Sequence, residues 1–318
     1  MAKVETVDVT PQNGAINFPV NDNDTMDMVE TIASQTIRGA KSGNIVEDAF
    51  YEYEVDKGAV VEEAVIKMAE KQAFDKNAFD RTAKDTTVLV KYFNNWEQAQ
   101  YQTTTRRDEI RKILKEGGSV EQVAGDIVDT LTQGDNADDF IAKRKLLLNS
   151  GFAKDYKTII GGVPLNMKGV IYAMRNMYNH LKTNNSDLTS DVYVSATPVE
   201  DIRVAIPRDV LDLIDIVELA NIFNLSKEEI LGKIVIVDTS DVGAEDWKYN
   251  VVVYDRKAMG RATRLYEYES ERVAKGRYDN HYLTVDRMYF FNGLFKTASI
   301  NCKKAVTEAK AQLIGAEQ

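Results

Sequence analysis

Between residues 51 and 68 the chain reads YEYEVDKGAVVEEAVIKM, two stretches of alternating character joined at Asp56, Lys57 and Gly58. Tyr51, Tyr53 and Val55 alternate with Glu52 and Glu54, and residues 59–68 mix Val and Ile with Glu62, Glu63 and Lys67. A period of two puts one face of a strand in water, and a glycine-bearing turn between two such runs predicts a hairpin. A two-stranded hairpin is marginal by itself in water. This one is heavily charged and precedes any sizeable core, so the rest of the chain, or another chain, has to cover it.

What surrounds it is read from punctuation and period. Residues 1–24, with Pro11, Gly14, Pro19 and the run Asn21-Asp22-Asn23-Asp24, read as an extended arm. Asp24 or Thr25 caps a short helix through about Arg38, before Gly39. TTVLVKYF (86–93) is a strand by its β-branched and aromatic content. A helical region begins near Thr105, is interrupted at Gly117-Gly118, and reopens at Ser119 with Gln122 three residues on, a capping-box pattern. Val120, Val123, Ile127 and Leu131 form its apolar stripe, and a further helix covers 136–148.

NMKGVIYAMRNMYNHLK (166–182) has the clearest helical period in the chain, with Met167, Val170, Ile171, Met174, Met177, Tyr178 and Leu181 recurring at three and four. Such a methionine stripe is either core or an adaptable groove, and core is the more economical reading. Strands and helices then alternate: VYVSA, IRVAI, a helix after Pro207, SKEEILGK with a second capping box at Ser226 and Glu229, and the apolar strands IVIVD (234–238) and VVVYD (251–255). RATRLYEYESERV, HYLTVDRMYFF and FKTASINCKKA read as long strands with water or another chain on one face.

The search for chemistry is negative. GGVP (161–164) lacks the Lys-Ser/Thr and the spacing of a phosphate loop. VIVDTSD (235–241) resembles the Asp-Thr-Gly of aspartic proteases, but Ser240 replaces the glycine and no second copy exists to share a proton with Asp238. His180 and His281 form no metal pattern, His281 falling in a strand expected to be exposed. The single cysteine, Cys302, excludes an internal disulfide and sits in SINCKK with nothing beside it to mark a nucleophile. No cofactor is called for. The formal charge of −10 argues against gripping nucleic acid through phosphates. The basic pairs and runs, Arg106-Arg107 and Lys143-Arg144-Lys145, read as solvated faces or ion-pair partners. No run approaches a membrane span, and residues 1–5 contain no apolar signal core.

The order of elements, and strings such as EYEVDKGAVVEEAVIKMAEKQAFDKN, YQTTTRRDEIRKIL and IRVAIPRDVLDLIDIVELANIFNL, resemble the major capsid proteins of tailed bacteriophages with the HK97 fold. The resemblance covers about residues 24–304, and no single residue is diagnostic. It implies an α+β chain divided as N-terminal arm and short helix (1–45), E-loop hairpin (46–92), peripheral domain with spine helix (93–185), axial α/β domain (186–258) and returning peripheral strands with the C-terminus (259–318). It implies no enzymatic activity. The function is assembly, through pentamers and hexamers, into an icosahedral head around double-stranded DNA.

On that resemblance Asp56, Lys57 and Gly58 form the E-loop tip and reach a neighbouring subunit, while Thr239, Ser240, Asp241 and Glu245 surround the capsomer centre. The partners implied are copies of the chain, a separate scaffold protein, portal and decoration proteins, and loosely contacted DNA, with no membrane. The location is the virion, assembled in the host bacterial cytoplasm. A scaffolding segment ahead of the arm is not expected. Cross-linking through Lys57, Lys67 or Lys71 is not expected either. The alternatives are an encapsulin-type shell, another phage structural component, or an α/β enzyme built on Asp238 or Cys302.

Overall fold

The structure is a computed structural model that describes residues 22–39, 49–56, 58–66, 88–149, 154–155, 162–183, 196–214, 233–243 and 245–315. Its elements run α1 (Asp22–Gly39), β1 (Tyr51–Glu54), β2 (Val61–Ile66), β3 (Val88–Phe93), β4 (Glu97–Arg106), α2 (Arg107–Lys115), α3 (Val120–Leu148), β5 (Lys154–Asp155), α4 (Met167–Leu181), β6 (Ile202–Pro207), α5 (Arg208–Leu211), β7 (Ile234–Val237), β8 (Asn250–Asp255), β9 (Met259–Val273), β10 (Tyr278–Phe291), β11 (Thr297–Asn301) and α6 (Lys303–Gly315). The arm at 1–21, SKEEILGK (226–233 apart from Lys233), and most of VYVSA lie outside the described residues.

The first half is built on a four-stranded sheet in the order β1-β9-β10-β4. β9 and β10 form one long antiparallel hairpin, and β4 pairs antiparallel with β10 from Tyr278↔Arg106 to Arg287↔Glu97. Helices α1 and α3 cover one face, where Met26, Val29, Ala33, Ile37, Val123, Ile127 and Leu131 meet Leu283 and Val285. Helix α3 starts where Ser119 Oγ accepts the Gln122 N–H at 3.2 Å, a side-chain cap for an otherwise orphan donor. It runs unbroken for 29 residues, about 43 Å at the helical rise. The expected break before residue 136 does not occur. Gly134 is instead the place where the helix passes against the Tyr101 ring of β4: a Cβ there would sit 3.0 Å from Tyr101 Cδ1.

The second half is a five-stranded mixed sheet, β5-β11-β8-β6-β7. Its central strand, NVVVYD, is buried at every position, as a continuous β-branched run demands of a sheet covered on both faces. On one face Val251 and Val253 pack with Val170, Met174, Met177 and Leu181 of α4 and with Ala305 and Val306 of α6. The methionine stripe is core. On the other face Val252 and Tyr254 meet Phe50, Leu147 and Leu148, so the end of α3 joins the two halves.

Several expectations are corrected. Strand β4 forms where a lead-in to helix was read. A helix does follow Pro207, α5, and residues 215–232 beyond it lie outside the described residues. SINCKK ends a strand and opens helix α6. Residues 259–318 do not all return to the peripheral sheet: β11 bonds to β8 and β5, and α6 packs on α4. Helix α4 likewise sits on the five-stranded sheet, not with α3. Among the described residues no helix is long and apolar enough to cross a membrane.

Candidate assembly surfaces

The two alternating runs that opened the sequence do not pair with each other. β1 lies parallel to β9, Tyr51↔Gly260 to Glu54↔Thr263. β2 pairs antiparallel with β3, Val61↔Phe93 to Ile66↔Val88. The reason lies in the partners available. The Tyr51–Tyr53 stretch gains a place on the four-stranded sheet, and Arg261 reaches across to Glu52. The second run finds in VLVKYF a strand of equal length and β content. Asp56 and Gly58 therefore turn the chain from sheet to ribbon: Asp56 accepts the Ala59 N–H at 3.0 Å, and Gly58 has φ +89°, which only glycine adopts without strain. Lys57, Lys67 and Lys71 lie outside the described residues.

One end of the β2–β3 ribbon packs on β9 and β10. Val61, Ala262, Met288 and Phe290 form a buried cluster there, with Tyr53, Val55, Phe93 and Trp96 against it. Phe93 stacks on Phe290 at 4.1 Å between ring centroids. Gly260 lets the Phe290 ring lie against the β9 backbone, since a Cβ at 260 would meet Phe290 Cζ at 2.2 Å. The opposite end is where Ile66 and Val88 face each other. Asp56 and Gly58 are thus at the base of the ribbon, not its tip.

Register fixes which residues share a face. Val61, Glu63 and Val65 oppose Phe93, Lys91 and Leu89 on the face turned toward the body, where Glu63 accepts the Tyr53 hydroxyl at 3.1 Å. Glu62, Ala64 and Ile66 oppose Tyr92, Val90 and Val88 on the other. That outer face is exposed and largely apolar: Ile66 is 62% exposed, Val88 50% and Tyr92 66%. A contiguous apolar face on a projecting ribbon marks a site of protein contact.

The turn after β7 is tied down. Asp238 accepts the Ser240 N–H at 3.0 Å, and Thr239 O accepts Val242 N–H at 3.0 Å. The Arg144 fork from α3 binds both oxygens of Asp241 and donates to Asp238 O at 3.2 Å. The Ser240 hydrogen bonds hold the Asp238 carboxyl below its usual range, and the Arg144 hydrogen bond does the same for Asp241. Thr239 is buried and Ser240 and Asp241 exposed, while Glu245 accepts the Trp247 indole N–H. Asp238 is an ordinary turn-capping aspartate, and the turn is a joint to α3.

In the charge run Lys143-Arg144-Lys145 the first two are ion-pair partners, one of the two expected readings, and Lys145 is exposed. Lys143 and Arg144 are buried. Asp135, Asp139 and Lys143, one helical turn apart on α3, meet Arg287 and Tyr289 of β10 and Arg261 of β9. Arg287 grips Asp135 with two bonds of 2.9 and 3.0 Å and touches Asp139 at 3.2 Å. Arg261 Nε and Lys143 Nζ lie 3.2 and 2.8 Å from Asp139, and the Tyr289 hydroxyl donates to it. Burial alone would raise the Asp139 carboxyl, but Arg261 and Lys143 more than offset it and hold it below the usual range. Burial pushes the Lys143 ammonium down against the pull of Asp139. Sequence reading missed this lattice. The signal was available in the i, i+4, i+8 spacing of Asp135, Asp139 and Lys143 on a helix.

Cys302 is not poised for chemistry. It is buried and burial pushes its thiol up to about 12. His281 is buried rather than exposed. Among the described residues no three His, Cys, Asp or Glu side chains cluster as a metal would need.

A sequence profile of the Phi29-like phage major capsid proteins matches residues 3–296. The chain belongs to that family. Its members are structural capsid proteins, not enzymes. The chain is similar to the major capsid protein of Bacillus phage GA-1, 23% identical over 197 residues, 59% of this chain. The match spans only 40% of that protein's length. In fold it is similar to a chain of the Staphylococcus phage Andhra capsid, with a TM-score of 0.59 at 10% identity over 81% of this chain and 84% of that one. A chain of the cyanophage P-SCSP1u capsid gives 0.52 at 9% identity over 82% and 89%. The α+β architecture is the HK97-like one that the sequence led us to expect.

Proposed function

We propose that this capsid-family chain is a shell subunit that assembles with copies of itself, through rings of five and six, into an icosahedral head enclosing double-stranded DNA. The observation that carries the reading is the outer face of the ribbon. Ile66, Val88, Val90 and Tyr92 are exposed on one face of a two-stranded ribbon whose other face is turned to the body. Exposed strands invite pairing and are normally blunted or covered. In a shell the cover is the neighbouring subunit, and the contact is heterologous, so it closes into rings. The outer face with Ile66 and Val88, not Asp56 and Gly58, makes that contact. The joint held by Arg144 at Asp241 keeps the two halves of the subunit in one orientation while it does so.

A separate scaffold protein, portal and decoration proteins are the further partners in this reading. The acidic chain leaves the packaged DNA loosely held. The particle is a virion assembled in the bacterial cytoplasm.

The test is negative-stain electron microscopy with light-scattering mass, on the chain expressed alone and with its neighbouring reading frames. Closed shells or free rings of five and six are expected. A stable monomer or dimer under both conditions overturns the reading.

A further inference from the structure

The joint between α1 and the four-stranded sheet carries titratable groups used by neither the ribbon nor the ion lattice. His281 and Asp279 lie two residues apart on β10, on the face that carries Leu283 and Val285 beneath α1 and α3. Both are fully buried. Tyr268 of β9 stacks on the imidazole at 6.1 Å, its hydroxyl 2.7 Å from Nδ1. Nε2 has no hydrogen-bond partner among the described residues, nor has either Asp279 oxygen. Asp279 is flanked by two guanidiniums, Arg107 at 3.6 Å and Arg272 at 3.9 Å. Arg272 reaches on to Asp27 of α1 at 3.0 Å. Glu30, three residues along α1, lies close enough to help burial raise the Tyr268 hydroxyl.

The contacts run from Asp27 of α1 through Arg272 to Asp279, two residues along β10 from His281, whose Nδ1 meets the Tyr268 hydroxyl, and Tyr268 packs against the apolar cluster that α1 helps form. We propose that this arrangement is an acid-sensitive latch, in which protonation of His281 loosens α1 from the sheet while the rest of the fold stands. The charged groups facing His281 are Asp279 on its own strand, Arg272 from β9, Arg107 from α2, and Asp27 and Glu30 from α1. Its neighbours in register, Ser270 and Thr103, are uncharged; α3 places Val123, Ile127 and Leu131 in the cluster with Leu283 and Val285, and its Asp135 and Asp139 are engaged farther along β10 by Arg287.

Burial holds the imidazole below its ordinary value, with Asp279 opposing. A proton on Nε2 adds a third cation beside two arginines that already share one carboxylate. The strand cannot yield, because β10 is bonded to β9 and β4 along both edges. The cover can. The sign follows: undocked, the imidazole takes its proton near the ordinary value of about 6.5, and docked it does so only lower, so docking weakens as pH falls through that value.

The test uses the full chain. Proton NMR follows the two imidazoles, His180 serving as the internal comparison, while amide exchange corrected for intrinsic rate follows residues 22–39 against α3 at about pH 7.5 and about pH 5. We expect His281 to titrate below the ordinary range. We expect α1 to lose protection severalfold more than α3 in acid. His281→Gln, which can still bond Tyr268 but cannot charge, removes the difference. Titration of His281 at or above the ordinary value, equal loss in α1 and α3, or the same acid loss in His281→Gln overturns the latch. Should that variant not fold, Tyr268→Phe serves: α1 less protected already at neutral pH supports the latch, and unchanged protection overturns it.

Discussion

The ribbon and the α3 joint invert the usual placement of side chains in opposite directions. On the outer face of β2–β3 the apolar side chains Ile66, Val88, Val90 and Tyr92 are outside. Under α3 the charges Asp135, Asp139, Lys143 and Arg287 are inside. Each inversion is costly in an isolated subunit: exposed apolar area forgoes transfer free energy, and buried charge is tolerated only when fully paired. The joint meets its cost internally, because every member of the lattice touches an opposite charge. The ribbon does not, and that asymmetry separates what the subunit needs to fold from what it needs to assemble.

The sharpest way to break the comparison is at the joint. Asp139→Ala leaves Lys143, Arg261 and Arg287 facing one another with one carboxylate gone. Removing one partner of a buried ion cluster costs about 3–5 kcal/mol, so the variant is expected to lose most of its folded population in a urea titration. The same group sets an acid limit. Its folded carboxyl lies below the usual range, so its contribution is present above the ordinary carboxylate value and is lost as pH falls through the folded one. A loss of stability no larger than that of a surface substitution would mean that the lattice is ornamental.

At the ribbon base the expected effect is smaller. Gly260→Ala forces the Phe290 ring away from β9, and with it the stack on Phe93 and the tilted contact with Tyr53. Overpacking of this kind costs about 1–3 kcal/mol. The expected signature is a lowered thermal midpoint together with faster amide exchange in β2 and β3 than in β8.

Smaller again is the effect at Asp255, in a cleft of about 240 Å³ lined also by Val65 of the ribbon, Thr197, Lys257 and Lys296. Burial raises its carboxyl to about 6, against the Lys257 N–H and Thr197 hydrogen bonds that lower it. A raised folded value means that stability is fully present below the ordinary carboxylate value and declines as pH rises through about 6. Asp255→Asn should therefore raise the unfolding free energy by on the order of 1 kcal/mol at neutral pH and change little near pH 4. Equal effects at both pH values would show that the carboxylate does not titrate in the fold.

How much of this the sequence disclosed depends on range. Patterns that declare themselves locally were legible: the methionine stripe of α4, the apolar run of β8, the long alternations of β9 and β10, and the Ser119 cap of α3. Pairings that depend on distant partners were not. Tyr51 meets Gly260 across more than two hundred residues, and nothing in YEYE announces a parallel neighbour, so the nearest alternating run was taken for its mate. β4 was hidden because EQAQYQTTTR is polar on an open edge. Its inward positions are Ala99, Tyr101, Thr103 and Thr105, and the two apolar ones are too few to show a period. The C-terminal helix was missed despite Ala305, Ala309 and Ala311, good helix formers that SINCKK overshadowed. His281 was misplaced because burial of a polar group is decided by its partners, and Tyr268 lies on another strand.

The smallest effect on the subunit is expected where the effect on assembly is largest. Ile66→Ser with Tyr92→Ser replaces two exposed side chains on the outer face of the ribbon, and exposed substitutions of this kind change folding free energy by less than about 0.5 kcal/mol. The thermal midpoint and the urea midpoint of the isolated subunit should then match those of the parent chain. Sedimentation of lysates and electron microscopy of the same preparation should nonetheless show free subunits in place of shells, because the apolar surface a neighbour would cover is gone. The contrast with Asp139→Ala is what gives the pair its value. That variant should lose shells because it loses subunits, and the ribbon variant should keep every subunit and lose only their association. If the double substitution assembled normally, the outer face of the ribbon would not be what neighbouring copies cover. If it unfolded the subunit, the face would have to be packed within its own chain.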